Sequence, residues 1–223
     1  MKRFLVLLMV ILGMLAAGCS HQLTITNLNE HYSTPPAPPQ EPVSVGLVSG
    51  QMSDPVNNKY VYAIVTAMRN SGNFDRVIYP YSHAEHSGVA SVVHLSVLPS
   101  YDGMGSNFFV NFPGFLIFAP AIWGYGYEAD IDTMADISYP GANTTKHLEI
   151  PTRYDFRQAE IDRTWTEVGW LEVGIIPFIG GFVFTQYDPD VTRPFISEVS
   201  SNYGYYVGSK ITRAVYASLS EKQ

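Results

Sequence analysis

The sequence predicts an α+β fold: a small mixed sheet with flanking N-terminal and C-terminal helices and a β-hairpin/aromatic insertion. Three patterns predict it. Between Val43 and Leu98, apolar residues follow one another with strand, helix, strand and strand spacing. Glu128 to Tyr139 and Lys146 to Asp155 read as the two arms of a hairpin, with the turn-forming Pro140-Gly141-Ala142-Asn143 between them. Phe195, Ile196, Val199, Tyr203, Tyr206, Val207, Ile211, Ala214, Val215 and Leu219 then recur at helical spacing.

Taken in chain order, Lys2-Arg3 precede an apolar run from Phe4 to Leu15, and Ala16-Ala17-Gly18-Cys19 closes it. A positive start, a short apolar core and small residues at a cleavage point mark a secretory signal peptide over residues 1–18. The run is shorter than the ~20 residues a membrane-spanning helix needs. Leu15-Ala16-Ala17-Gly18-Cys19 resembles the lipobox of bacterial lipoproteins. That resemblance implies cleavage before Cys19, a diacylglycerol thioether on its sulfur and an acyl chain such as palmitate on its new amino group. The other reading is an ordinary signal peptide with a chance cysteine. Each buried CH₂ contributes about 0.8 kcal/mol, so several acyl chains hold where one would exchange. Ser20 after the cysteine, rather than Asp, resembles lipoproteins sorted to the outer membrane, which implies a lipid-anchored place there, facing the periplasm.

Cys19 is the only cysteine. With it lipidated, the mature chain has no internal disulfide, no catalytic thiol and no thiolate metal site. Loss of Lys2 and Arg3 with the leader moves the formal charge from −7 to −9. A chain this acidic is a poor partner for nucleic acid, which rewards clustered basic side chains. Membrane lipid, reached through acylated Cys19, is the expected anchor. Residues 19–42 read as the lipidated cysteine and a proline-rich tether, because Ser33-Thr34-Pro35-Pro36-Ala37-Pro38-Pro39-Gln40-Glu41-Pro42 favours extended polyproline II. Residues 43–223 then form a single periplasmic domain with apolar insertions at 103–127 and 168–187.

Within that domain Val43 to Val48 alternates as a strand. Asp54 is a suitable N-cap, with Pro55 at the first helical position. Val56, Tyr60, Ala63, Ile64, Ala67 and Met68 make a helical stripe, and Gly72 is a stop. Phe74 to Tyr79 and Val89 to Leu98 follow as strands around a short polar segment, Tyr81 to Gly88. This element order is similar to the α/β module of the curli-secretion-channel and penicillin-binding-protein-activator lipoproteins, and to the N-terminal domain of the periplasmic TolB protein. The chain as a whole resembles uncharacterised outer-membrane lipoproteins of Gram-negative bacteria, which share the flavour of Phe112-Pro113-Gly114-Phe115 and Gly174-Ile175-Ile176-Pro177.

Gly103 to Tyr127 carries no charge, and Val168 to Tyr187 carries only Glu172. Pro113-Gly114 and Pro177 with Gly180-Gly181 break any helix mid-run, and irregular backbone is not tolerated in lipid. Three readings stand. The stretches pack as buried hairpins or broken helices, form an apolar surface for a protein partner, or enter the outer membrane on oligomerisation. Phe115, Leu116, Ile117, Ile175, Ile176 and Phe178 are the expected partner-binding residues. Gly204 and Gly208, four apart, permit close packing of the C-terminal helix on the sheet.

Chemistry-bearing motifs are sparse. His83-Ala84-Glu85-His86 has ligand types but no third fixed partner for zinc. Glu128, Asp130 and Asp132 line one strand face, without the ligand spacing of a calcium loop. Asp155, Glu160, Asp162 and Glu167 lie among Arg157 and Arg163, which a surface charge network explains. The sequence carries no nucleophile elbow, phosphate loop, dinucleotide fingerprint or zinc-protease motif. The expected function is therefore an outer-membrane-anchored lipoprotein acting as a binding or assembly module in the cell envelope, with an envelope protein as partner, no enzyme, no cofactor and no metal. The alternatives are a subunit of an envelope export pore, or a carboxylate-based hydrolase of cell-wall or other glycans.

Overall fold

The computed structural model describes residues 22–38, 41–50, 55–84, 88–107, 124–140, 145–159 and 192–220. The strands are β1 (Gln22–Ile25), β2 (Val43–Ser49), β3 (Phe74–Ile78), β4 (Ser91–Gly103), β5 (Tyr125–Ser138) and β6 (Thr145–Ala159). Helix α1 (Pro55–Asn70) joins β2 to β3, helix α2 (Thr192–Ser220) comes last, and a short 3-10 turn covers Leu28–His31. One sheet contains all six strands in the order β1-β6-β5-β4-β2-β3. β2 is parallel to both β3 and β4, whereas β1 is antiparallel to β6. The contacts Val92–Ser138 and Met104–Gly126 run in opposite chain directions, so β4 and β5 are antiparallel. Asp136–His147 and Ile131–Thr152 show the same for β5 and β6. The fold is the α+β arrangement that the periodicities predict: a mixed sheet with an N-terminal and a C-terminal helix and a β5–β6 hairpin.

The chain divides into two compact units, Met1–Thr26 with Tyr101–Ala129 and Tyr154–Thr192, and Asn27–Ser100 with Asp130–Arg153 and Arg193–Gln223. In the second unit β2 is the inner strand of a β-α-β crossover, since parallel neighbours need a long connection and α1 supplies it. Val45 and Leu47 of β2 are fully buried, as are Val93 and Val97 of β4. α1 buries Tyr60, Val61, Ile64, Val65, Ala67 and Met68, the i, i+1, i+4, i+5, i+7, i+8 stripe of a helix with one covered face. It ends as expected at Gly72, which has φ of 70°; Ser71 donates its hydroxyl to the Met68 carbonyl and accepts from the Asn73 amide. Asp54, the expected N-cap, lies outside the described residues.

α2 lays its own stripe, Phe195, Val199, Tyr203, Val207, Ile211 and Val215, into this core. Pro194 sits in its first turn, where the amide it lacks has no helical partner. Tyr203 is buried edge-on to Tyr60 with ring centres 5.1 Å apart, and shares a 2.6 Å hydrogen bond with the Thr133 hydroxyl of β5. Tyr216 stacks on Phe74, donates to the Asn73 carbonyl and accepts from the Val43 amide, which ties α2 to the starts of β2 and β3. The glycines of α2 face α1, not the sheet. A Cβ on Gly204 would lie 2.4 Å from the Ala63 carbonyl oxygen. The expectation of close helix–sheet packing is thus corrected: the glycine removes the side chain that would hold two helices apart.

In the first unit, Asn107 closes the end of the β4–β5 pairing. Its side-chain amide donates to the Gly126 carbonyl at 2.8 Å and its side-chain oxygen accepts from the Gly126 amide at 2.6 Å, so one buried side chain imitates a strand partner. Tyr127 packs on Phe156 at 5.3 Å between ring centres. Gly124 has φ of 72°, and a Cβ there would meet the Gln158 backbone at 2.8 Å.

Residues 22–36 differ from the tether expected over 19–42. Gln22–Ile25 pair with Phe156–Ala159 as an edge strand, and Ser33 is buried. Gln22-Leu23-Thr24-Ile25 already alternates apolar and polar residues, and proline withdraws backbone donors only from Pro35 onward.

Two outcomes follow from this core. Gly204→Ala should cost about 1–3 kcal/mol through overpacking, more than the ~1 kcal/mol that helix propensity returns. Gly208→Ala, whose new Cβ meets the Met68 Cγ at 3.3 Å, the Ala67 Cβ at 3.5 Å and the Ile64 carbonyl oxygen at 3.6 Å, should be neutral or stabilising. Denaturant melts of the two variants check the opposite signs. Burial also raises the Tyr203 phenol above its ordinary value of 10.0, with the Thr133 hydrogen bond opposing. The folded state therefore keeps this proton after the unfolded chain has lost it. Stability should be flat up to about pH 10 and then fall by up to ~1.4 kcal/mol per pH unit for this one group. Tyr203→Phe should be less stable at neutral pH and lose that part of the alkaline slope, read by melts at several pH values.

Candidate binding groove

Where α1 and α2 cross, their small residues make a floor and their outward residues make walls. Ala63 and Ala67 of α1 line a groove of about 520 Å³. Lys59, Tyr62, Thr66 and Asn70 rise from the α1 side at helical spacing, and Ser197, Ser200, Ser201 and Tyr205 rise from α2. Tyr62 is 50% exposed and Tyr205 40%, which is unusual for large rings beside a well-filled core. Tyr62 is held edge-on against Tyr79 at 5.4 Å, and the Tyr79 hydroxyl reaches Asn58 at 3.4 Å. Burial, and secondarily Tyr62, pushes the Tyr79 phenol above its usual value.

Toward the C-terminal end of α2 a smaller pocket adjoins it, with the proline segment as one wall. Pro35 and Pro36, both half-buried, line a small pocket there together with Met68, Ser71, Gly208, Ser209 and Thr212. Ala67 and Tyr205 line both, so the groove and the pocket share a floor and a wall. The proline segment is pinned by the residues that precede it. Arg213 donates to the Thr34 carbonyl at 2.7 Å; upstream, the His31 imidazole donates to the Arg153 carbonyl and packs edge-on against Tyr206, over which the Lys210 ammonium lies at 5.5 Å. Proline suits this furrow because it brings apolar surface with no N–H to satisfy.

The residues expected to carry function fall elsewhere. Cys19, Phe115, Leu116, Ile117, Ile175, Ile176 and Phe178 lie outside the described residues, as do most of the two aromatic stretches. The first stretch is described at Gly103–Asn107, where Gly105 and Ser106 are exposed and Asn107 buried, and at Gly124–Tyr127, which is buried and enters β5 at Tyr125. His83 lies 3.1 Å from the Tyr81 hydroxyl, while Glu85 and His86 are outside the described residues. Among the described residues no three His, Cys, Asp or Glu gather as a metal site would require. Asp130 and Asp132 are exposed and Glu128 half-buried, alternating with buried Ala129, Ile131 and Thr133, which is the pattern of a solvated sheet face. Asp155 accepts backbone and hydroxyl hydrogen bonds from Thr26 through its carbonyl, and Arg157 faces Thr24 in register; Glu160, Asp162, Arg163 and Glu167 lie outside the described residues. No described helix is long and apolar enough to cross a membrane.

The stripe that defines α1 passes over the groove. Tyr62 stands two residues after Tyr60, off the covered face, and Tyr205 stands two after Tyr203 in the same relation. An aromatic residue displaced from its helix's apolar stripe is the signal that was available.

No protein-family model matches the chain, and no curated protein matches it. Among solved structures, the chain is similar to the PelC dodecamer from Paraburkholderia phytofirmans, at 10% identity over 83% of this chain and 98% of that chain, with a TM-score of 0.31. A single-substitution variant of that protein gives the same identity and coverage with a TM-score of 0.28. Superposition at this level carries no functional argument.

The packing of the proline segment is testable. Arg213→Ala should release Thr34 and make residues 33–38 an early site of limited proteolysis, with the midpoint of global denaturation unchanged. Equal protease resistance of variant and wild type would show that the segment is held by the furrow alone.

Proposed function

We propose that this chain is an outer-membrane-anchored, periplasm-facing lipoprotein that acts as a binding or assembly module of the cell envelope and performs no catalysis. The observation that carries the binding role is the open, tyrosine-walled groove between α1 and α2, a feature of recognition surfaces rather than of reaction centres. It offers hydroxyl, amide and ammonium groups on an apolar floor, with no paired acid and base among them. The anchoring role is supported by Leu15-Ala16-Ala17-Gly18-Cys19 and by Ser20. A lipid tether fits a binding module because confinement to one membrane raises the effective concentration of any partner held there.

Two measurements test the reading together. Wild type should incorporate a fatty-acid analogue and fractionate with the outer membrane, whereas Cys19→Ala should do neither and should remain largely uncleaved. A photo-crosslinking residue placed at position 66, in the groove, should give a discrete adduct with an envelope protein in intact cells, while one at exposed position 75 on β3 should not. Equal labelling of Cys19→Ala would sink the anchor, and identical adducts from both positions would sink the groove as the recognition surface.

A further inference from the structure

We infer that the open half of the α1–α2 groove is a receptor for an extended, proline-rich segment of another polypeptide. The inference rests on the binding-module reading and names its ligand class. Its basis is that the chain's own proline segment already packs on these two helices: Pro35 and Pro36 line the adjoining pocket with Met68, Gly208 and Thr212, and the open half shares Ala67 and Tyr205 with it.

The chemistry of the empty half suits the same class of ligand. A polyproline II strand has three residues per turn, no internal hydrogen bonds and solvated carbonyls, and its proline positions carry no donor. Such a ligand needs apolar, preferably aromatic, surfaces for its rings and donors for its carbonyls. Tyr62 and Tyr205 supply exposed rings, one on each wall. Lys59, Thr66, Asn70, Ser200 and Ser201 supply donors along the same walls. Aromatic-lined grooves bind proline-rich strands because little conformational entropy is lost when the ligand is already extended. An amphipathic helix fits less well. Its backbone carbonyls are spent internally, and the apolar residues Ala63, Ala67 and Ile196 among the lining offer a helix's anchor side chains little apolar surface to enter.

Tyr62 is the element that separates the two halves. It lines the open half only, and its ring is pre-positioned by Tyr79 before any ligand arrives. Thr66 is likewise a wall of the open half alone and points away from the core.

The test uses the full chain purified in detergent, with a blocked, fluorescein-labelled proline decamer as probe and a glycine–serine decamer of the same length as control. Anisotropy should show saturable binding of the proline probe and none of the control. Tyr62→Ala and Thr66→Arg should each weaken binding at least tenfold, whereas Tyr62→Phe should stay within about threefold because the ring is retained; these are fold-changes on the scale of a single lost aromatic contact. Thermal melts establish that each variant is folded, and Thr66→Arg, being exposed, decides the matter if Tyr62→Ala does not fold. The inference is overturned by equal binding of both decamers, by no saturation with wild type, or by variants within twofold of it. Binding seen only when Pro35→Ser and Pro36→Ser are combined would place the probe in the adjoining pocket and overturn it too. A persistent in-cell adduct from position 66 alongside a silent decamer would leave a binding module standing and remove its proline specificity.

Discussion

The absence of a side chain at Gly204 governs this structure. A carbonyl oxygen of α1, that of Ala63, occupies the volume where a Cβ would stand. Two helices can then touch backbone to backbone, and the consequences spread from that point. Tyr203, one residue earlier, is delivered into the core to meet Tyr60 and Thr133; Tyr205, one residue later, is carried out to the surface. Beside this contact lies an open groove lined by Ala63, Ala67 and Ile196. The same contact thus borders both the tight core and the groove.

Much of this architecture was legible. The alternation of Val43 to Val48, the stripe from Val56 to Met68 and the long C-terminal stripe each correspond to an element of the fold, with ends displaced by a few residues. These signals are legible because burial on one face imposes a period on the sequence. β1 escaped because a four-residue edge strand imposes too little, and the neighbouring prolines dominated the reading of its surroundings. The direction of Gly204 escaped for a different reason. Glycine reports that something comes close, and only the tertiary arrangement tells whether a helix or a sheet does so.

The site was harder to read than the fold. Tyr62 and Tyr205 differ from core tyrosines only in helical phase, by about 200° from residues two places earlier, at ~100° per residue. Counting aromatics cannot find them; a wheel can. The proline segment shows the complementary problem. Its composition says that it is extended, and correctly says nothing about whether extended chain lies free or lies in a furrow. That depends on Arg213, 179 residues from Thr34, and on how α1 and α2 pack.

The ties made by Tyr216 have a consequence for how the molecule is made. Its hydroxyl accepts from the Val43 amide and donates to the Asn73 carbonyl, across sequence separations of 173 and 143 residues. The β2-α1-β3 crossover can assemble locally as it emerges, but its apolar face stays wet until α2, the last described element, arrives to cover it. Contacts so distant along the chain pay their loop-closure entropy late, which slows folding and lengthens the life of a half-built intermediate. Such an intermediate exposes strand edges and apolar surface together, the condition under which nascent chains associate wrongly. The fold is thus one whose β2-α1-β3 face stays uncovered until α2 has been made.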